Sequence, residues 1–166
     1  TTAMRRALRS KLARPKQALG LTKDLRDKLL QHCPETLAGK RDRALIAVGY
    51  DTLSRRSELV ALRFEDLKIL SKGSAGILIR KAKNDPFGNG RIAHISPMAL
   101  RTMLTWIKAA RINDGYIFRA VRKDLIGTNA LNPYSVNRII KSAAMRAKLP
   151  SEKIAMLSGH SMRVGA

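Results

Sequence analysis

Leu67-Lys68-Ile69-Leu70, Gly76-Ile77-Leu78-Ile79-Arg80 and Arg91-Ile92-Ala93-His94-Ile95 are short β-rich runs separated by Lys72-Gly73-Ser74 and Gly88-Asn89-Gly90. Apolar runs this short, bounded by turn residues, read as strands. They predict a small three-stranded antiparallel sheet. On either side the pattern is helical. Upstream, Thr22 is placed to cap a helix to about Cys33, with Leu25, Leu29 and Leu30 on one face, and residues 34–39 break it. A second helix is expected over residues 40–51, with Leu45, Ile46 and Val48 inward. Ser54 is placed to cap a third, carrying Leu59, Val60 and Leu62. Downstream, Ser96-Pro97 supplies an N-cap followed by proline at the first helical position, starting a helix to about Ala110. Residues 115–118 read as extended, Asn132-Pro133 as a turn, and Ser135 as the cap of a helix to about Lys148, with Val136, Ile139, Ile140 and Ala143 inward. Pro150 closes it, and Ser158-Gly159-His160-Ser161-Met162-Arg163 reads as a turn feeding a new helix capped by Ser161. The fold class is therefore mainly α with a small three-stranded antiparallel sheet.

At 166 residues, 45% of them hydrophobic, the chain is long enough for one domain with a hydrophobic core. No stretch is long and apolar enough to cross a membrane. The opening Thr1-Thr2-Ala3-Met4-Arg5-Arg6 lacks the apolar run of a secretory signal. One cysteine, Cys33, excludes an internal disulfide and a multi-cysteine zinc site, and a reducing cytosol is the simplest location.

Charge narrows the partner class. Thirty-three Lys and Arg against twelve Asp and Glu give a net charge of +21. Such an excess repels itself unless a polyanion offsets it. The basic residues lie within folded-looking segments rather than in one tail, which favours a basic face over a disordered arm. Aromatics are only 4% of the chain, which argues against single-strand stacking and for duplex phosphate. On charge alone, a non-catalytic nucleic-acid-binding protein of ribosomal or nucleoid type fits equally well.

Four features, in order, carry a resemblance that goes further. Arg55-Arg56-Ser57-Glu58 supplies Arg-x-x-Glu at a helix start, preceded by Arg41-Asp42-Arg43-Ala44-Leu45; Lys83 stands beside the hairpin turn in Arg80-Lys81-Ala82-Lys83-Asn84-Asp85; and His160-Ser161-Met162-Arg163 supplies His-x-x-Arg, followed by Val164-Gly165-Ala166. The order of elements (helices, sheet, helices, His-x-x-Arg) is the fourth. Together they resemble the catalytic domain of the tyrosine recombinases, the phage integrase family, over about residues 20–166.

The resemblance implies DNA integration or site-specific recombination on double-stranded DNA, through a 3′-phosphotyrosyl intermediate. Arg55 and Arg163 would grip the scissile phosphodiester, whose non-bridging oxygens gain charge during attack and match guanidinium geometry. Lys83 would protonate the 5′-oxygen leaving group, His160 would accept a proton or bind the phosphate, and Glu58 would orient the site. Arg56, Lys81 and Arg91 read as DNA contacts. No cofactor, metal or small-molecule substrate is implied, nor any membrane; a tetramer on DNA in the cytoplasm, associated with the nucleoid, is. The family's nucleophilic tyrosine follows His-x-x-Arg, whereas Tyr50, Tyr116 and Tyr134 precede it. Residues 19–166 are thus expected to be a catalytic domain truncated at its C-terminus and inactive alone in strand cleavage. Basic residues 1–18, with Met4, Leu8 and Leu12 at helical spacing, would be the linker or tail of an N-terminal core-binding domain. His32 and His94 match no motif, Cys33 reads as a buried small apolar group, and Trp106 reads as core.

Overall fold

The computed structural model describes residues 2–3, 17–80 and 87–165. Met4, Leu8 and Leu12, and the hairpin lysines Lys81 and Lys83, lie outside the described residues. The first helices are α1 (Lys23–Gln31), α2 (Leu37–Thr52) and α3 (Arg56–Val60). The sheet follows as β1 (Leu67–Ile69), β2 (Ala75–Ile79) and β3 (Arg91–Ile95). Then come α4 (Pro97–Ala109), a two-stranded hairpin β4 (Val121–Arg122) and β5 (Leu125–Ile126), and the helices α5 (Tyr134–Arg146), α6 (Ser151–Ala155) and α7 (Ser161–Val164).

The sheet is antiparallel in the order β1-β2-β3, with Ile77 paired to both Leu67 and Ala93. Its pleat sends Ala75, Ile77, Ile79, Ala93 and Ile95 inward and leaves Ile92 and His94 exposed. Helix α2 runs through the core: Ala44, Leu45, Ile46, Ala47 and Val48 are all fully buried. A helix apolar on every side must be covered on every side, and α1, α4, α5, α7 and β3 cover it. Trp106 of α4 is fully buried and donates its indole N–H to the Ile117 carbonyl at 2.8 Å. Cys33 is buried, and its burial pushes the thiol up from its ordinary range.

Caps decided by a hydroxyl directly before a helix hold where the chain is extended there. Thr22 accepts from the Leu25 N–H and Ser96 from the Ala99 N–H. Helix α2 starts earlier than residue 40, because Thr36 accepts from the Gly39 N–H. Three expected serine caps are corrected. Ser54 is fully buried and hydrogen-bonded to the Thr52 hydroxyl at 2.7 Å, and Arg55 takes the cap position of α3. At α5, Asn132 accepts from the Tyr134 N–H, and Ser135 sits inside the first turn. At α7 the cap position is His160, while the Ser161 hydroxyl accepts from the Ser158 N–H and so closes the preceding turn. The Ser54 and Ser161 hydroxyls found partners outside the helices they were expected to cap, while the Ser135 hydroxyl accepts from Arg138 of its own helix at 3.0 Å. The β4–β5 hairpin and α6 are additions to the sequence reading; the hairpin tip places Lys123 and Asp124 at positive φ, a conformation its residue types do not advertise.

The segment entering the domain is stitched to the segment that carries His160. Leu19 N–H donates to the Met156 carbonyl and Leu21 N–H to the Ser161 carbonyl, both at 2.9 Å. The two backbones approach so closely at Gly165 that a Cβ there would lie 2.5 Å from the Gly20 carbonyl carbon. Backbone cannot yield as a side-chain tip can. Gly165→Ala is therefore expected to lower stability by roughly 1–3 kcal/mol, the range for overpacking a tight site, measured by urea unfolding of the two proteins.

Candidate active site

The start of α3 is shaped by one carboxylate. Helix α2 ends at Leu53, whose positive φ of 53° turns the chain sharply into Ser54-Arg55. Such a conformation is uncommon for a residue with a side chain and is held only where the surroundings determine it. Glu58, one turn on, is buried. Its Oε2 accepts the Arg55 backbone N–H at 2.8 Å and its Oε1 accepts Arg55 Nη1 at 3.1 Å. The bond to the backbone is the returning half of a capping box. Arg91 of β3 brings Nη2 to 3.9 Å from Glu58 Oε2 and donates to the Thr52 carbonyl at 2.9 Å.

The other wall comes from the far end of the chain. In α7, Ser161 and Met162 are fully buried while His160 and Arg163 are exposed. Residues three apart stand on one side of a helical turn, so burying the middle pair turns His160 and Arg163 outward together. They meet Arg55. A concavity of about 460 Å³ is lined by Arg55, Arg56, Ser57, Pro133, Tyr134, Gly159, His160 and Arg163. A neighbouring one of about 390 Å³ is lined by Leu53, Arg55, Glu58, Arg91, His160, Arg163 and Val164. Arg55, His160 and Arg163 form the wall the two share.

Of the residues singled out from the sequence, Arg55, Arg56, Glu58, Arg91, His160 and Arg163 thus come together, and Lys81 and Lys83 lie outside the described residues. The larger concavity presents the guanidiniums of Arg55, Arg56 and Arg163 and, among its described lining residues, no carboxylate. Guanidinium forks of this kind match the geometry of an anion with forked oxygens. Among the described residues no group of His, Cys, Asp or Glu is placed to hold a metal ion. Tyr134 is among the lining residues that sequence reasoning passed over as site residues. It is 76% exposed, with the Arg56 guanidinium 5.3 Å from its ring centre. No local pattern marks it, because its neighbourhood with Arg56 is made by packing α5 beside α3.

The phage integrase family model matches residues 20–166, nearly the whole chain. The chain belongs to the phage integrase family. An integrase/recombinase xerD homolog of Selenomonas ruminantium is 35% identical over 138 residues, covering 79% of this chain and 39% of the relative. This integrase-family chain therefore spans about two-fifths of the length of that curated relative. Its fold is also that of solved recombinases. The crystal structure of XerA recombinase superposes with a TM-score of 0.65 at 17% identity, over 91% of this chain and 48% of that one. XerH site-specific recombinase bound to its difH substrate, in a pre-cleavage complex, superposes with a TM-score of 0.63 at 21% identity, over 89% and 41% respectively. Among the described residues, no helix is long and apolar enough to cross a membrane.

Glu58 is the keystone of the Arg55 wall, and its two substitutions should separate its duties. Glu58→Ala leaves the Arg55 N–H and guanidinium without their acceptor and is expected to cost about 1–3 kcal/mol. Glu58→Gln keeps an acceptor for the N–H and should cost less. Chemical denaturation of both variants measures the difference.

Proposed function

We propose that this chain is the phosphate-gripping part of a DNA strand-exchange enzyme, with residues 19–166 as its catalytic unit. One observation carries the reading: Arg55 and the pair His160 and Arg163, far apart in the chain, line one basic concavity. Arg55 and Arg163 bind the non-bridging oxygens of the scissile phosphate, where charge grows as the nucleophile adds. Donors placed this way act mainly on the transition state, each contributing roughly 10²–10³ in rate by analogy with oxyanion holes. Glu58 holds Arg55 in place from behind.

The reaction balances without an external energy source. A tyrosine oxygen attacks the phosphorus, its proton passing to His160, and the bond to the 5′-oxygen breaks as Lys83 supplies that oxygen with a proton. The phosphotyrosyl bond keeps the strand activated until the 5′-hydroxyl of a new partner reverses the step. We assign the nucleophile to a tyrosine following His-x-x-Arg in the complete protein rather than to Tyr50, Tyr116 or Tyr134. The partner is double-stranded DNA, met through Arg56, Lys81 and Arg91 as well as the catalytic cations; recombination would take place in a tetramer on nucleoid DNA. The charge of +21 supports the partner class, and XerH, a structural relative, is described bound to its difH substrate.

With six or more phosphate contacts, affinity for duplex DNA is expected to fall roughly 10³-fold or more between 50 and 200 mM salt. A filter-binding titration checks this, and salt-insensitive binding would remove the electrostatic basis of the reading. In the complete protein, Arg163→Ala should abolish the covalent adduct formed on a nicked suicide duplex while leaving nonspecific binding nearly unchanged, since one lost charge barely alters a +21 surface. Parallel loss of binding and adduct would make Arg163 an ordinary DNA anchor. No adduct from the unsubstituted complete protein would favour a non-catalytic nucleic-acid-binding role.

A further inference from the structure

The turn that carries His160 is held by a helix to which the mechanism above gives no role. Asn137, in the first turns of α5, accepts the Gly159 backbone N–H through Oδ1 at 2.6 Å. Only the amide oxygen accepts from an N–H, so the donor itself fixes which way this side chain faces. Gly159 is buried, and a Cβ on it would come within 2.9 Å of Arg56 Cδ and 3.3 Å of Val136 Cγ1. The backbone just before His160 is therefore clamped between α3 and α5. The other side-chain bonds of this turn are internal to it: Ser158 N–H to the Ser161 hydroxyl at 3.0 Å, and His160 N–H to the Ser158 hydroxyl at 3.2 Å. They keep its shape but do not set its place beside Arg55.

The place matters because His160 is exposed and its ring has no hydrogen-bond partner among the described residues. Packing does not aim the imidazole, so its reach into the concavity is set by the backbone from which it projects. We infer that Asn137 is a positioning residue for phosphoryl transfer, its carboxamide oxygen fixing the Gly159-His160 backbone against Arg55 and Arg163. This rests on the role proposed above for His160. Asn137 carries no charge, so removing its side chain leaves the cationic field of the site intact. Its loss should therefore separate rate from binding.

The test uses the complete protein and a nicked suicide duplex carrying its recombination site, under single-turnover conditions with saturating DNA. Misplacing a reacting group by about 1 Å costs up to roughly 10²-fold in rate. Asn137→Ala is expected to slow adduct formation by about 10- to 100-fold, with DNA affinity unchanged within about 2-fold, since no phosphate contact is lost. Asn137→Asp keeps an acceptor in the same position. It should restore the rate at saturating DNA while weakening affinity, because it adds a negative charge against Gly159, which lines the cationic concavity. Thermal melts accompany each variant; should Asn137→Ala unfold, Asn137→Leu, which keeps most of the side-chain volume, replaces it. A reactive wild type matched in rate by the Ala or Leu variant overturns the inference, as does equal loss of rate and affinity, or an Asp variant as slow as Ala. An unreactive wild type instead overturns the mechanism of the complete protein, and this inference with it.

Discussion

Met162 seated on Gly49 is the contact on which the site depends. Its side chain is fully buried, and a Cβ on Gly49 would lie 2.9 Å from the methionine methyl carbon and 3.1 Å from a Leu59 methyl. The missing side chain in the last turn of α2 is thus the socket for a residue more than a hundred positions further along the chain. Burying a methionine contributes about 1.5–3 kcal/mol. Here the same burial also sets an orientation. With Met162 and Ser161 turned into the core, His160 and Arg163 have only the outward side of α7 left. The socket touches Leu59 of α3, so the outward side faces the start of the helix that carries Arg55. A hydrophobic contact thereby places three polar groups.

Charge is arranged on the same principle of local compensation and collective excess. Carboxylates are paired where cations have to be fixed: Asp27 with Arg26, Asp42 with Arg41, Glu35 with Arg43, Asp66 with Arg80, and Glu58 with Arg55. Asp42 shows what burial asks of such a pair. Desolvation holds its carboxyl above the ordinary range even though Arg41 pulls it down. Glu58 differs in having a duty at the site. It is buried, yet the guanidinium it steadies remains partly open to the concavity, with side-chain exposure of 32% for Arg55 against 6% for Glu58. Arg163 and His160 face the same space without an acid among the described lining residues of the larger concavity. The net positive charge is left where a polyanion can reach it.

Much of this was legible in the chain because it is local. Short β-rich runs bounded by turn residues, at residues 76–80 and 91–95, report strands, and Thr22 and Ser96 report helix starts because their hydroxyls lie next to free N–H groups. The apolar run in α2 reports burial. Arg-x-x-Glu and His-x-x-Arg were visible because each is three residues long in spacing and one turn of helix in space. The serine caps at Ser54, Ser135 and Ser161 misled, since a hydroxyl bonds to whichever donor or partner folding brings nearest.

What the sequence by itself determined is most of the elements and the family to which the chain belongs, because periodicity, capping and motif spacing act over a few residues. What only the tertiary structure decided is which of those residues share a surface. That Tyr134 stands beside Arg56, that Asn137 holds the turn before His160, and that Gly20 crosses Gly165 follow from helices meeting across the core. No spacing along the chain encodes such contacts; they are fixed by close packing, in which a glycine here and a methionine there determine how near two backbones come.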